Sequence, residues 1–359
     1  MQQKSSSSPD KKVSFITTLY NEAGSVISFL ETLLAQTRVP DEIVIVDGGS
    51  NDGTPDIITG FLKKVCTADM IKHDPEIIFK GSFKGISDLK VISANGARIS
   101  EGRNIAIENS SNELICVSDA GCILADNWVE EITSGYGPED AASAVAGGYS
   151  YPYIENFIQA CLAVCVMPRK SEIKKDRFMP SSRNISFSKD AWQAAGGYPV
   201  NMDYGEDMKF NFNISAAGYK IRFNPGAEVY WDLRSRLVPV FRQFFRYAKG
   251  DAIGRMYIIR HLVRFSAIIA LVLLIALSVW VSPWFLLGIL PVISYFMYKP
   301  YFRINPFLND KKVNHYTGKI RSKPLLKTAV FFTIPLMMIY IEAAKLFGYL
   351  YGIAARKSF

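Results

Sequence analysis

Residues Glu42–Thr54 read EIVIVDGGSNDGT. Ile43–Val46 is a short continuous apolar run, the pattern of a strand covered on both faces of a parallel sheet. The run breaks into Asp47-Gly48-Gly49 and then Ser50-Asn51-Asp52-Gly53. Thr54-Pro55 follows as a helix N-cap with proline at the first helical position. This order sets a loop bearing two carboxylates, Asp47 and Asp52, beyond the carboxyl end of a strand, where open α/β sheets bind ligands. The chain upstream of about Trp231 is read as serving the site begun here.

Working outward, Val13–Leu19 is a β-branched strand followed by a loop at Tyr20–Gly24. Val26, Phe29, Leu30, Leu33 and Leu34 then recur at helical spacing. A helix is expected over roughly Pro55–Val65, a third strand at Leu89–Ala94, a helix at Gly102–Ser111, and a fourth strand at Glu113–Ser118. Thr67–Lys84 reads as an irregular insertion. Four β-then-α alternations imply an α/β fold with a doubly wound, mostly parallel sheet. Beyond Tyr136 come a strand at Ala144–Tyr151, a helix at Ile154–Val166, a short strand at Asn184–Ser188, a helix at Gly205–Ala217 and an extended Ile221–Trp231.

The net charge of +8 hides an asymmetry. Residues 1–232 hold 22 Lys+Arg against 30 Asp+Glu, whereas residues 233–359 hold 19 against 3. The basic half is interleaved with long apolar runs, which favours membrane spans with positive flanks over nucleic-acid binding. From Phe265 to Tyr298 there are 34 residues without a charge. One helix of that length would reach about 50 Å, too long for a hydrocarbon core of about 30 Å. Ser282-Pro283 divides it into segments of 18 and 16 residues, a hairpin of spans. The stretch 299–327 reads as a basic cytosolic loop, and 328–355 as a third span or re-entrant helix. Residues 1–12 are polar, without an apolar core, and read as a disordered leader rather than a secretory signal. The preceding soluble half is then expected in the cytosol, attached to an inner or plasma membrane. The five cysteines show no metal spacing and are assigned to packing.

Carboxylates cluster at or beyond strand ends: Glu22, Asp47 with Asp52, and Asp119, with Glu206-Asp207 opening a later helix. Like charges on one crevice repel unless a cation or hydrogen-bond donors hold them. A divalent metal with a diphosphate resolves this, because Mg²⁺ typically takes one or two carboxylates plus substrate phosphates. Arg103 offers a phosphate fork. Each group also has a plainer reading, Asp47 and Asp52 as turn formers and Glu206-Asp207 as favourable charge at a helix N-terminus.

The ordered set TTLYNEAGSV, EIVIVDGGSNDGT, GRNIA, VSDAG, GGYP and GEDM resembles a family 2 glycosyltransferase with the GT-A fold, over roughly Val13–Trp231. The resemblance implies that Thr18, Tyr20 and Glu22 line the nucleotide, that Asp47 bonds the base, and that Asp52 and Arg103 lie near the donor. It implies Asp119 as the first position of the DxD motif, holding ribose and Mg²⁺ or Mn²⁺. Glu206-Asp207 matches the acceptor-side ED motif, with Asp207 as general base. The DxD motif departs from the family, since Asp119-Ala120-Gly121 lacks its second acid. Arg183 and Asn184 are candidate donor or acceptor contacts. Arg242–Tyr247 resembles the QxxRW motif of processive synthases, with Tyr247 for Trp, which would place Gln243 and Arg246 near the acceptor. The same six residues also fit a membrane-surface helix inserting Phe241, Phe244 and Phe245.

The expected organisation is therefore a GT-A domain over 13–232, an amphipathic interfacial region over 233–264, a transmembrane hairpin over 265–298 and the two segments that follow. The expected activity is inverting transfer of a sugar from a nucleoside-diphosphate donor, a UDP-sugar by preference, to a lipid-linked or surface-glycan acceptor. Two other readings stay open: synthesis of a lipid-linked monosaccharide on polyprenyl phosphate, and a non-enzymatic sugar-nucleotide-binding subunit of a synthase.

Overall fold

A computed structural model describes residues 11–69, 76–134, 145–314 and 323–356. Residues 1–10 of the expected leader lie outside the described residues. The chain forms two compact units, one of residues up to Tyr151 together with Ile173–Trp231, the other of Pro152–Glu172 with the chain from Asp232 onward.

The first unit is a three-layer α/β body. Its central strands β1 (Val13–Leu19), β2 (Glu42–Asp47), β5 (Ile86–Ser93) and β6 (Leu114–Val117) run parallel in the order β5-β2-β1-β6. Side chains alternate across the sheet with period two. In β2, Ile43 and Ile45 join one apolar cluster while Val44 and Val46 join another. The first cluster is closed by α1 (Val26–Leu34), α2 (Thr54–Val65) and α4 (Trp128–Thr133). The second is closed by α3 (Ile99–Glu108), α6 (Lys189–Ala194) and α7 (Glu206–Ala216).

Outside this parallel centre the sheet is antiparallel, so the ten-stranded sheet is mixed rather than mostly parallel. At one edge β3 (Thr67–Ala68) pairs with β4 (Ile77–Phe83), and β4 pairs antiparallel with β5. The stretch expected to be irregular thus supplies a strand, bulged against β5. Lys and Gly within IIFKGSF hide its alternation. On the other side β9 (Ile185–Ser188) pairs antiparallel with β6 and with β8 (Val145–Tyr153), and β7 (Cys122–Leu124) with β10 (Ile221–Asp232).

The second unit is helical. It contains α5 (Phe157–Val166), α8 (Leu237–Ile253), α9 (Ile258–Trp280), α10 (Ile289–Asn309) and α11 (Lys323–Ala355). Gly348 and Gly352 let α11 lie against α8: a Cβ at Gly348 would sit 2.1 Å from the Phe245 carbonyl oxygen. Small residues four apart are the usual means of such close helix approach. Three helical stretches, Ile258–Trp280, Pro283–Asn309 and Lys323–Ala355, are long and apolar enough to cross a membrane. Two boundaries differ from expectation. The first apolar helix starts at Ile258, so its opening turns carry Arg260, His261 and Arg264. The stretch 299–327 is not all loop, because α10 runs through Lys299 and Arg303 to Asn309 and α11 begins at Lys323. Pro300 and Pro306 sit inside α10 without ending it, and Arg303 is anchored by a 2.9 Å ion pair to Glu172. Residues 315–322 of that stretch lie outside the described residues.

Candidate active site

Beyond the carboxyl ends of β1 and β2 the two loops are sewn to one another. Beyond β1, the Asn21 amide donates to Ser50 Oγ at 2.8 Å and the Glu22 amide to Thr54 Oγ1 at 2.9 Å. In return, the Asn51 amide donates to Asn21 Oδ1 at 2.9 Å. Asp52 closes the seam. Its Oδ2 accepts from the Ala23 amide at 3.0 Å, while Oδ1 accepts from the Thr54 amide and hydroxyl. The Thr54 hydroxyl is the chief reason that the exposed Asp52 carboxyl lies below its ordinary range. Both oxygens of Asp52 thus help to hold two loops together, while the carboxylate itself stays exposed.

Asp47 differs. It is buried at the end of β2, and its Oδ2 accepts from the Gly49 and Ser50 amides at 3.0 and 2.9 Å. Its Oδ1 is buried with no hydrogen-bond partner. A buried unpaired carboxylate oxygen is costly in a finished structure, so it marks a place where a ligand donor belongs. Tyr20 stands 59% exposed beyond β1, and Thr18 and Glu22 are half-buried nearby in the chain. Glu22 Oε2 accepts from Ser25 Oγ at 2.5 Å.

Helix α3 brings Arg103 to the same end of the sheet. Gly102 makes this possible: a Cβ there would meet Thr18 Oγ1 at 2.2 Å, so only glycine lets the helix seat on β1. Arg103 is 2% exposed and forks between two carboxylates, donating to Asp119 Oδ1 and to Glu206 Oε1, each at 2.9 Å. It lies 5.2 Å from the centroid of the Tyr198 ring, which is buried. The two terminal nitrogens of Arg103 are thus held by protein carboxylates, while its Nε is buried without a hydrogen-bond partner. Arg103 is a buried tie between the DAG turn and the ED helix.

The left-handed backbone at Gly205 (φ +75°) turns the chain into α7, whose first two residues are Glu206 and Asp207. They point to different surroundings. Glu206 is buried; burial first, and the neighbouring Asp207 charge second, push its carboxyl up to about 7 against the pull of Arg103. Asp207 is partly exposed, accepting from Ser181 Oγ at 3.1 Å and from the Met208 amide at 2.8 Å. The pair thus splits into one held, inward acid and one accessible acid.

Two further expectations separate. Asn184 is 1% exposed and fully committed: its Oδ1 accepts from Trp128 Nε1 at 2.8 Å, and its Nδ2 donates to the Tyr149 and Ala227 carbonyls at 3.1 and 3.0 Å. It is a core hub, not a ligand contact. Arg183 stacks 3.6 Å over the Trp231 ring, and its carbonyl accepts from Ser118 Oγ at 2.8 Å. In the helical unit, Gln243 Nε2 donates to the Tyr247 hydroxyl at 2.8 Å on α8, and Arg246 is exposed. Ser181 and Tyr198 were not singled out by sequence. GGYP pointed at Tyr198 as a motif position, but nothing in the order of residues links Ser181 to Asp207.

Among the described residues no three His, Cys, Asp or Glu side chains converge as a ready-made metal site. All five cysteines are free thiols. Asp119 remains 35% exposed with one oxygen on Arg103, so it can offer one carboxylate oxygen to a cation that takes its other ligands from phosphate and water.

Residues 14–188 match the family model described as glycosyl transferase family 2, and residues 133–301 match that of glycosyl transferase family group 2. The succinoglycan biosynthesis protein ExoA of Rhizobium meliloti is 24% identical over 239 residues, 65% of this chain and 66% of that protein. Glycosyltransferase AglE of Haloferax volcanii is 25% identical over 216 residues, 59% of this chain and 64% of that one. The poly-beta-1,6-N-acetyl-D-glucosamine synthase of Staphylococcus epidermidis is 25% identical over 247 residues, 66% of this chain and 54% of that protein. The matched part of this chain thus spans a little over half to just under two thirds of these relatives. A mannosyltransferase of Pyrobaculum calidifontis, solved with GDP-Man and Mn2+, shares the fold at a TM-score of 0.51 and 16% identity, covering 97% of this chain and 87% of that one. With the loops, the buried arginine tie and the split acid pair in place on that fold, the chain belongs to glycosyl transferase family 2.

Proposed function

We propose that the protein transfers a sugar from a nucleoside-diphosphate donor to an acceptor hydroxyl, with inversion at the anomeric carbon. The observation that carries this is the Arg103 tie, which holds a donor-side acid, Asp119, and an acceptor-side acid pair, Glu206-Asp207, to one guanidinium. In this reading Asp47 Oδ1 receives a donor from the nucleobase, and Thr18, Tyr20 and Glu22 flank the nucleotide. Asp207 takes the acceptor proton, because it is the accessible member of the pair and is steadied by the Ser181 hydroxyl. An acceptor hydroxyl ionises far above neutrality, so attack needs such a base within hydrogen-bond reach. Glu206 positions Asp207 by holding the first turn of α7 to Arg103.

Asp119 would hold Mg²⁺ or Mn²⁺ together with the diphosphate; the ion's contribution is to neutralise charge on the leaving group. A UDP-sugar is the preferred donor. The three apolar helices favour an acceptor carried on a lipid or on a growing glycan at a membrane. The test is a donor screen in detergent with Mg²⁺ or Mn²⁺, reading nucleoside-diphosphate release. Release from one nucleotide sugar, abolished in Asp119→Ala and cut at least a hundredfold in Asp207→Asn, is expected. Transfer near the normal rate in Asp207→Asn would remove the base assignment, and no release from any donor with any acceptor would remove the activity.

A further inference from the structure

The helical unit holds a cavity of about 300 Å³ that the transfer chemistry does not use. Its walls include Tyr247 from α8, Arg260, His261 and Arg264 from the start of α9, and Lys345 from α11. Residues 233–359 contain only three acids, Asp251, Asp310 and Glu342, and two of them serve this cluster. Asp251 Oδ2 lies 2.9 Å from His261 Nε2, and Glu342 takes Arg264 Nε at 2.9 Å and Lys345 Nζ at 2.7 Å. Three fixed cations thus meet two carboxylates. Arg260 is the surplus charge. It lies 4.0 Å over the Tyr257 ring and has no carboxylate partner among the described residues. The Tyr247 hydroxyl already accepts from Gln243, which leaves its own proton to give. The cavity therefore presents unspent donors and a net positive charge, the chemistry of a phosphate site.

The depth of the cluster along α9 says where that phosphate would come from. The charges of α9 are confined to Arg260 and Arg264, and the helix is uncharged from Phe265 to Trp280. Arg260 and Trp280 are 20 residues apart, about 30 Å of helix, which is the thickness of a hydrocarbon core. Trp280 and Trp284 are 86% and 77% exposed, the placement of an interfacial aromatic belt. With α9 in a bilayer, the cavity lies at headgroup level.

We propose that this cavity binds the phosphate of a membrane lipid, with Arg260 and Lys345 as its cations and the Tyr247 hydroxyl as a further donor. The inference does not depend on glycosyl transfer, and its test reads binding alone. Full-length protein, purified in dodecyl maltoside and stripped of lipid, is titrated with dioleoylphosphatidic acid, dioleoylphosphatidylglycerol, dioleoylglycerol and inorganic phosphate, and adducts are followed by native mass spectrometry. Both phosphate lipids are expected to bind and dioleoylglycerol to bind at least tenfold more weakly. Arg260→Gln should weaken phosphatidic acid binding about tenfold, with Arg260→Lys retaining most of it. Tyr247→Phe, which removes one hydroxyl, should weaken it about threefold and keeps the test open where Arg260→Gln folds poorly. Equal binding of dioleoylglycerol, or unchanged binding in both Arg260→Gln and Tyr247→Phe, would overturn the proposal. Inorganic phosphate binding as tightly as the lipids would overturn the lipid source.

Discussion

Arg103 and Glu206, 103 positions apart in the chain, form a buried ion pair at 2.9 Å. The same guanidinium holds Asp119 at 2.9 Å, so the two sides of the site share one cation. Removing the partner of a buried charge leaves that charge uncompensated, at a cost of about 3–5 kcal/mol. Arg103→Met should therefore lower stability on that order and abolish donor turnover. Arg103→Lys should recover part of the stability but little turnover, since one ammonium cannot fork to two carboxylates as a guanidinium does. Thermal unfolding in detergent, set beside nucleoside-diphosphate release, checks both halves.

Glu206 gives the site a pH signature. Its folded carboxyl titrates near 7, above its ordinary 4.5, chiefly through burial. Between about pH 4.5 and about pH 7 the folded protein therefore keeps on Glu206 a proton that the unfolded chain has released, and the full ion pair with Arg103 forms above that range. Stability with respect to this group is fullest below about 4.5 and is lost as pH rises through about 7. Glu206→Gln keeps an acceptor for Arg103 without the charge. Its unfolding midpoint should fall less than that of the native protein between pH 5 and 7.5, a difference on the order of 1–3 kcal/mol. Parallel midpoint-against-pH curves would contradict the assignment.

Ser181 is expected to act through Asp207. Loss of its 3.1 Å hydrogen bond leaves Asp207, the proposed base, in place but less well oriented. Ser181→Ala should lower kcat about three- to tenfold with KM for the donor unchanged. Ser181→Thr should restore much of the loss. A change confined to KM would point to substrate contact instead.

Asn184 predicts the opposite split. Three hydrogen bonds converge on its buried amide, so Asn184→Ala leaves an indole N–H and two carbonyls unpaired and should cost about 2–4 kcal/mol. At a temperature where the variant is still folded, KM for acceptor should match the native value. The loss of the Trp128 hydrogen bond should show as a shift in tryptophan emission.

Much of the fold was legible because local chemistry and tertiary role coincide in it. Ile43–Val46 is apolar on every residue since both faces of β2 are covered, and a helix does begin at Thr54. Gly53, in the left-handed region, takes the N-cap place expected of Thr54, whose hydroxyl bonds Asp52 instead. The antiparallel flanks were harder. β4 carries Lys80 and Gly81 in a bulged edge pairing, so neither apolar alternation nor a turn residue marks it. At the candidate site, residue types were readable while their allegiances were not. Asp52, Arg103 and Asn184 have side chains suited to ligands, but each is engaged by protein groups remote in sequence, from Ala23 to Glu206 to Trp128, although Arg103 Nε stays buried without a partner. Whether a polar group faces a substrate or another part of the chain is decided by long-range packing, which spacing along one strand or helix does not encode. The helix boundaries in the apolar half failed for a related reason. Polar residues in the opening turns do not stop α9 when His261 is held by Asp251 and Arg264 by Glu342.

The seam joining Asn21, Glu22 and Ala23 to Ser50, Asn51, Asp52 and Thr54 makes the loops after β1 and β2 one mechanical part. Neither can be exchanged alone. A chimera importing only the second loop would strand the Asn21, Glu22 and Ala23 amides unless it supplied acceptors in place of Ser50, Thr54 and Asp52. One importing only the first would have to replace Asn21 Oδ1 as the acceptor for the Asn51 amide, whereas one importing both would carry a closed hydrogen-bond set with it. With the nucleotide placed on these loops as proposed, changing its preference calls for a two-loop graft, with residues 20–25 and 47–54 moving together.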